Sequence, residues 1–215
     1  MGTDTRIEVI PAAWRRTMRR AGKPALALAL VLGGAGGAAA LTSVRAPATT
    51  PVAATGTTSL WLSGSSLSYA DAQEASGRLG WAASSYSLPG VGISRSTSGT
   101  STLGDAGRRL LPSEVSPDVV VLQGGEADNG GAGQSLSDAT ASLLAHVQQS
   151  TDPGTRIVLV GPIPGPDVPD SLRRVNEVLA RVAQQSGVEY LDALAEGWQA
   201  GQPALPEQLA TVLNS

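Results

Sequence analysis

The stretch Pro117-Asp-Val-Val-Val-Leu-Gln-Gly-Gly-Glu-Ala-Asp128 runs an uninterrupted apolar segment into a pair of glycines. Successive Val and Leu residues with no polar alternation suit a strand buried on both faces, the situation of a strand inside a parallel sheet. The glycine-rich loop Gly124–Gly133 ends that strand. Beyond it, Leu136, Leu143, Leu144 and Val147 share one helical face, with Ser137-Asp-Ala as the start signal.

The same alternation repeats outward. Ser59–Leu62, Arg156–Gly161 and Val188–Asp192 read as further strands, and a second strand is expected within the Ser-rich segment Gly80–Ile93. Leu172, Val175, Leu179 and Val182 form another helical stripe, with Pro169 as a start signal and Gly187 as a stop. Strands separated by helices imply parallel pairing, and right-handed crossovers then build a three-layer α/β/α sandwich. No internal repeat is visible. In such open sheets the functional loops gather beyond the carboxyl ends of the strands. Here those loops are Ser63–Ser68, the segment around Ser98-Gly-Thr100, Gly124–Gly133, Gly161–Pro169 and the residues after Asp192.

The N-terminal part has a different character. Arg6, Arg15, Arg16, Arg19, Arg20 and Lys23 precede Pro24–Leu41, a charge-free run rich in Ala, Leu, Val and Gly. Such a pattern reads as a targeting segment that places the rest of the chain outside the cytoplasm. Ala38-Ala-Ala40 offers small residues for cleavage, while the long basic region before position 24 suits an uncleaved anchor, so a signal peptide and a signal anchor both fit 1–41. Residues 42–58, rich in Ala, Thr and Pro, read as a linker, leaving 59–215 as the folded domain.

The sequence contains no cysteine, so packing rather than disulfides must hold the exported domain. Beyond the leader, 9 basic residues face 16 acidic ones with no basic cluster, which argues against a nucleic-acid partner. One lysine among 15 basic residues, no Phe, and abundant Ala and Gly suggest a GC-rich bacterial coding sequence.

Three loops carry motifs whose order and spacing resemble the SGNH hydrolase family, also called GDSL-type esterases. The first is Gly64-Ser65-Ser66-Leu67 against the family's Gly-Asp-Ser-Leu, the second Ser98-Gly99-Thr100, and the third Gly125-Glu126-Ala127-Asp128 against Gly-x-Asn-Asp. The resemblance implies a flavodoxin-like sheet and chemistry on acyl or acetyl esters. It makes Ser66 the candidate nucleophile, the backbone amides of Ser66 and Gly99 candidate oxyanion donors, and Gly125 and Asp128 motif-loop residues. It also exposes gaps. Ser65 replaces the aspartate, Ala127 replaces the oxyanion asparagine, and the family's C-terminal Asp-x-x-His has no counterpart after Asp192.

A serine hydroxyl needs a positioned base, whose help is worth roughly 10²- to 10⁴-fold. The single histidine, His146, falls ten residues beyond Leu136, roughly 15 Å down its helix from the functional edge, so a boundary position without a catalytic role is expected. Glu126 and Asp128 invite a metal or general-base reading, but one carboxylate pair without histidine is weak for a metal. Asp128 is expected to fix its loop by hydrogen bonds. Asp192 is expected to cap a helix, and Trp198 to lie in a C-terminal helix packed on the sheet. No metal or cofactor is expected.

The residues are compatible with two functions. One is an esterase-like domain of little or no activity that binds or scaffolds at the cell envelope, with an acylated glycan, a lipid, a small ester or a membrane or envelope protein as partner. The other is a working ester hydrolase that uses Ser66 with a base the sequence does not identify.

Overall fold

The computed structural model describes residues 56–64, 66–96, 101–111, 116–130 and 133–215. The chain divides into Met1–Val52 and Ala53–Ser215, and every described residue belongs to the second unit. The targeting segment, nearly all of the linker, Ser65 and the Ser98–Thr100 block lie outside the described residues.

Among the described residues ten elements alternate: β1 (Thr58–Ser63), α1 (Tyr69–Leu79), β2 (Ala82–Ser87), α2 (Leu103–Leu110), β3 (Val119–Gln123), α3 (Gln134–Ser150), β4 (Arg156–Val160), α4 (Asp170–Gln185), β5 (Glu189–Leu191) and α5 (Leu205–Leu213). A single 3₁₀ turn, Glu126–Asp128, comes after β3. The five strands pair in parallel in the order β2-β1-β3-β4-β5, the flavodoxin-like arrangement.

That order places the chain's change of direction between β1 and β3. From β1 the chain steps outward to β2 by way of α1, then returns past β1 to β3 by way of α2. Right-handed crossovers therefore put α1 and α2 on opposite faces of the sheet. α5 joins α1 on one face, while α3 packs between α2 and α4 on the other. The first face is closed by Trp61, Val119, Val121, Val158 and Val160 of the sheet against Ala72, Ala75, Leu205, Leu209 and Leu213. Leu60, Leu62, Val120, Leu122 and Leu159, the alternate residues of the same strands, are equally buried and face the other helices. Double-sided burial explains why these strands carry no polar alternation.

Local chemistry fixes the element ends. α1 begins in a capping box: the Ser68 hydroxyl accepts from the Asp71 N–H, and the Asp71 carboxylate accepts from the Ser68 N–H. Thr102 and Asp105 repeat the device at α2. Removal of a capping hydroxyl costs about 1 kcal/mol, so Ser68→Ala is expected to lower the urea-unfolding free energy by that amount without altering far-UV circular dichroism.

Several expectations are corrected. α3 starts at Gln134, with Gly133 at its N-cap position, so Ser137 lies inside the helix instead of opening it. Asp192 caps no helix: its Oδ1 accepts from the Leu194 and Ala195 N–H groups in a turn, and the next helix begins only at Leu205. Trp198 sits in that irregular segment, held by its N–H to the Ala193 carbonyl at 3.0 Å. Its side chain nevertheless packs on the sheet as expected, with the residue 2% exposed.

Candidate functional site

At the carboxyl ends of β1 and β3 the two neighbouring strands are in register, Ser63 opposite Gln123. The Gly64 N–H donates to the Gln123 carbonyl at 2.8 Å, extending the pairing one residue into the loop. A Cβ at Gly64 would stand 2.6 Å from the Val91 carbonyl oxygen, so only glycine lets the chain pass there. The next turn is pinned from inside. The Leu67 carbonyl accepts from the Ser63 hydroxyl at 2.7 Å and the Ser87 hydroxyl at 3.1 Å, while the Leu67 side chain is fully buried. Ser66 is thereby presented, half-buried, in the crevice where strand order reverses, the usual ligand position in open α/β sheets.

The opposite wall of that crevice comes from the loop after β3. Gly125 has φ of +124°, and a Cβ there would press 3.0 Å from Val175 Cγ1, so glycine is required on two counts. The turn it allows points Glu126 inward. Glu126 Oε1 accepts from Gln123 Nε2 at 2.6 Å and from the Ile163 N–H at 2.7 Å. The residue as a whole touches solvent, but Oε2 does not, because the stem reaches the surface and the carboxylate faces in. Burial pushes the Glu126 carboxyl above the usual carboxylate range, opposed in part by donors that include the Ile163 N–H and Gln123. The pairing of β1 with β3 sets the Ser66 turn against the loop that carries this carboxylate. Oε2 is buried and accepts no hydrogen bond, and none of the described hydrogen bonds joins Ser66 to Glu126. Gln123 Oε1, at the same wall, is also a buried acceptor without a donor.

Asp128 behaves differently from its neighbour. Its Oδ2 accepts from the Ile93 N–H at 2.7 Å, and its Oδ1 from the Ser94 N–H at 2.9 Å and the Ser94 hydroxyl at 2.7 Å. It is the expected loop-fixing residue and ties the β3 loop to the segment after β2. Ala127 supplies no side-chain donor. Gly99, the other candidate oxyanion donor, falls outside the described residues.

On the far side of β4, Tyr190 donates to Asn176 Oδ1 at 2.5 Å, and Asn176 Nδ2 donates to Asp192 Oδ2 at 3.0 Å. Burial, and after it the negative charges of Asp192 and Glu126, pushes the Tyr190 phenol above its ordinary value and keeps it a neutral donor. His146 is no base for Ser66: it lies on α3, half-buried, its ring 3.5 Å from Ser150 Oγ one turn away. Beyond β5, Gln202 Nε2 donates to Gln199 Oε1 at 2.8 Å. Among the described residues no group of three or more His, Cys, Asp or Glu side chains is arranged to hold a metal. No described helix is long and apolar enough to cross a membrane.

Trp61 is a core residue and Trp81 packs partly buried against the same cluster, so neither offers an exposed ring. Among the described residues the exposed aromatic is Tyr69, 52% accessible at the first position of α1 and three residues past Ser66. Neither Tyr69 nor the placing of the Glu126 loop against the Ser66 turn is evident from the motifs. The signal for Glu126 is its place in the β3 loop, opposite the β1 loop once strand order is known.

Comparison with known proteins agrees with this geometry. No curated protein matches the chain. Among solved structures, a family two carbohydrate esterase from Clostridium thermocellum, an active-site mutant, superposes with a TM-score of 0.56 at 15% identity, covering 73% of this chain and 62% of that one. A Corynascus thermopiles carbohydrate esterase of the same family, with its carbohydrate binding domain, is covered over 65% of its length, so the chain spans less than two thirds of both. The native aryl esterase of M. smegmatis gives 0.60 at 14% identity, covering 74% of this chain and 96% of that one. These likenesses establish the fold. The model of the GDSL-like lipase/acylhydrolase family matches residues 55–212, which take in β1 with its Ser66 turn, the Glu126–Asp128 loop and nearly all of α5, and the chain belongs to that family.

Proposed function

We propose that this chain is an extracytoplasmic ester-recognising domain that seats an acyl or acetyl ester of an envelope carbohydrate beside Ser66 and hydrolyses it slowly. The observation that carries this reading is the crevice between β1 and β3. It presents the family's serine three residues before Tyr69, which is exposed at the first position of α1, yet without an imidazole and with alanine at the oxyanion position. An amphipathic ring beside a polar cleft suits a sugar face, which is apolar on its axial side and carries hydroxyls around its edge. Loss of one oxyanion donor costs on the order of 10² to 10³ in turnover, so the altered block predicts a weak hydrolase. Structural neighbours that are carbohydrate esterases support the substrate class, and the basic and apolar leader supports the location. A second reading, an efficient ester hydrolase, is favoured by the buried, unpartnered Glu126 oxygen in the loop that adjoins the Ser66 turn.

The full chain tests both readings. Calorimetry with an acetylated xylo-oligosaccharide is expected to show binding that Tyr69→Ala weakens about tenfold, the order of one lost contact of about 1.4 kcal/mol. Hydrolysis of p-nitrophenyl acetate is expected to be slow and to vanish in Ser66→Ala. Neither binding nor Ser66-dependent hydrolysis in the wild-type protein would refute the proposal, and fast turnover near neutral pH would favour the second reading.

A further inference from the structure

We propose that Glu126 is the general base for Ser66, replacing the absent histidine with a carboxylate supplied by the neighbouring strand's loop. The inference rests on the reading that an ester is seated beside Ser66, and adds the group that activates the hydroxyl. Three features of the geometry carry it. Glu126 Oε1 is locked by Gln123 Nε2 and the Ile163 N–H, so the carboxylate cannot rotate away. Its Oε2 is closed off from solvent and accepts no fully formed hydrogen bond, which leaves a lone pair free. Strand pairing sets the Ser66 turn against the Glu126 loop, with Ser63 opposite Gln123 and the Gly64 N–H donating to the Gln123 carbonyl at 2.8 Å. A base held by one oxygen and open at the other is the arrangement that activation of a serine requires.

The step balances without any further reagent. As Ser66 Oγ attacks the ester carbonyl carbon, the Oγ–C bond forms, the carbonyl π pair moves onto its oxygen, and the hydroxyl proton passes to Glu126 Oε2. Collapse of the tetrahedral adduct breaks the bond to the leaving alkoxide, which takes that proton from Glu126 and departs as an alcohol. Water then attacks the acyl-serine, giving one proton to Glu126. Collapse returns this proton to Ser66 Oγ and releases the carboxylic acid.

Glu126 works only when ionised, and its surroundings disfavour that form. The groups facing it are the Ser66 turn, Gln123 of β3, the Ile163 N–H after β4, the Tyr190 phenol of β5 and, further off, Asp192. Among the described ion pairs none involves Glu126. A raised carboxyl pKa means that the base is protonated at low pH and becomes competent only as pH rises through that value. The stability consequence has the opposite sense. Stabilisation present below the unfolded carboxylate value of 4.5 is lost as pH rises through the folded one.

The decisive measurement is kcat/KM of the full chain for p-nitrophenyl acetate as a function of pH, in wild type, Ser66→Ala and Glu126→Gln. Wild-type activity is expected to climb tenfold per pH unit through a pKa above the usual carboxylate range, then level off. Glu126→Gln, which keeps an oxygen for the Ile163 N–H, is expected to lose about 10²-fold or more at the plateau, together with the pH limb. It should also become relatively more stable than wild type as pH rises. The labelling rate of wild-type Ser66 by a fluorophosphonate is expected to trace the same limb, a readout that needs no variant. The assignment is overturned if Glu126→Gln keeps the rate and the limb, or if Ser66 reacts independently of pH. Retained binding of an acetylated oligosaccharide without Glu126-dependent turnover sinks the base alone, whereas loss of both sinks the ester-seating reading beneath it.

Discussion

Asp128→Ala is expected to destabilise the domain by on the order of 3–5 kcal/mol, because it strands two backbone donors that both depend on that carboxylate. The Ile93 N–H is buried and the Ser94 N–H partly so, and each loses an acceptor held at 2.9 Å or less. An orphaned buried donor costs about 1–3 kcal/mol, and more when the lost acceptor was charged. The Ser94 hydroxyl at 2.7 Å adds a smaller loss. Asp128→Asn discriminates the mechanism. Its Oδ1 still serves Ser94, but its amide presents a donor to the Ile93 N–H, so about half of the loss is expected to remain. Urea unfolding of the three proteins provides the check, and a change below about 1 kcal/mol in the alanine variant would show that the carboxylate does not hold the loop. The site should suffer as well, since Asp128 comes directly after Glu126 and Ala127 in the same 3₁₀ turn. Ser66-dependent hydrolysis is therefore expected to fall in the alanine variant even below its unfolding transition.

Trp198→Ala is the second large loss. The indole is 2% exposed and packs in the cluster formed by the sheet with α1 and α5, although its own segment has no regular structure. Removing a buried Trp side chain costs about 3–5 kcal/mol through lost transfer energy and the cavity left behind. For a folded unit of this size that corresponds to a fall in Tm of roughly 10 °C. The effect should also be local. The Trp198 N–H is bonded to the Ala193 carbonyl, and two residues on the Ala200 N–H donates to the Pro164 carbonyl in the loop that carries Ile163. Hydrogen exchange is therefore expected to accelerate at Ala200 and Ile163 in the alanine variant, and much less in Trp198→Phe. Equal protection in all three proteins would mean that the segment is held by its backbone bonds instead of by the indole.

The strands that are legible in the sequence are those buried on both faces. Val119–Leu122 and Ile157–Val160 announce themselves because burial on two sides removes polar alternation. β2 is visible only as an expectation within a broad segment, because Ala82–Ser87 is an edge strand, exposed or half-buried at every position but Tyr86. α1 carries no stripe of large residues. It buries Ala72, Ala75 and Ser76, small side chains that let it lie close to its neighbours, so its one sequence signature is the capping box at Ser68 and Asp71. Trp198 is not helical because Gly197 and Gly201 on either side of it take positive φ, +69° and +75°, and Pro203 follows.

The candidate site divides along the same line. Composition, apolar runs and the three motif blocks determine the α/β class, the family, the serine and the missing histidine, because each of those properties is local to a few consecutive residues. The neighbour of that serine is decided by tertiary structure alone. Ser66 and Glu126 lie far apart in the chain, and their loops adjoin because β1 pairs with β3. Which carboxylate oxygen is locked, which is free, and how far burial shifts its proton affinity depend on Gln123, Ile163 and Tyr190 arriving from three different strands or their loops. Pairwise distances of that kind exist only once the sheet order is set, which is why the motif that marks Glu126 as a candidate base does not say which of its oxygens is held and which is unpartnered.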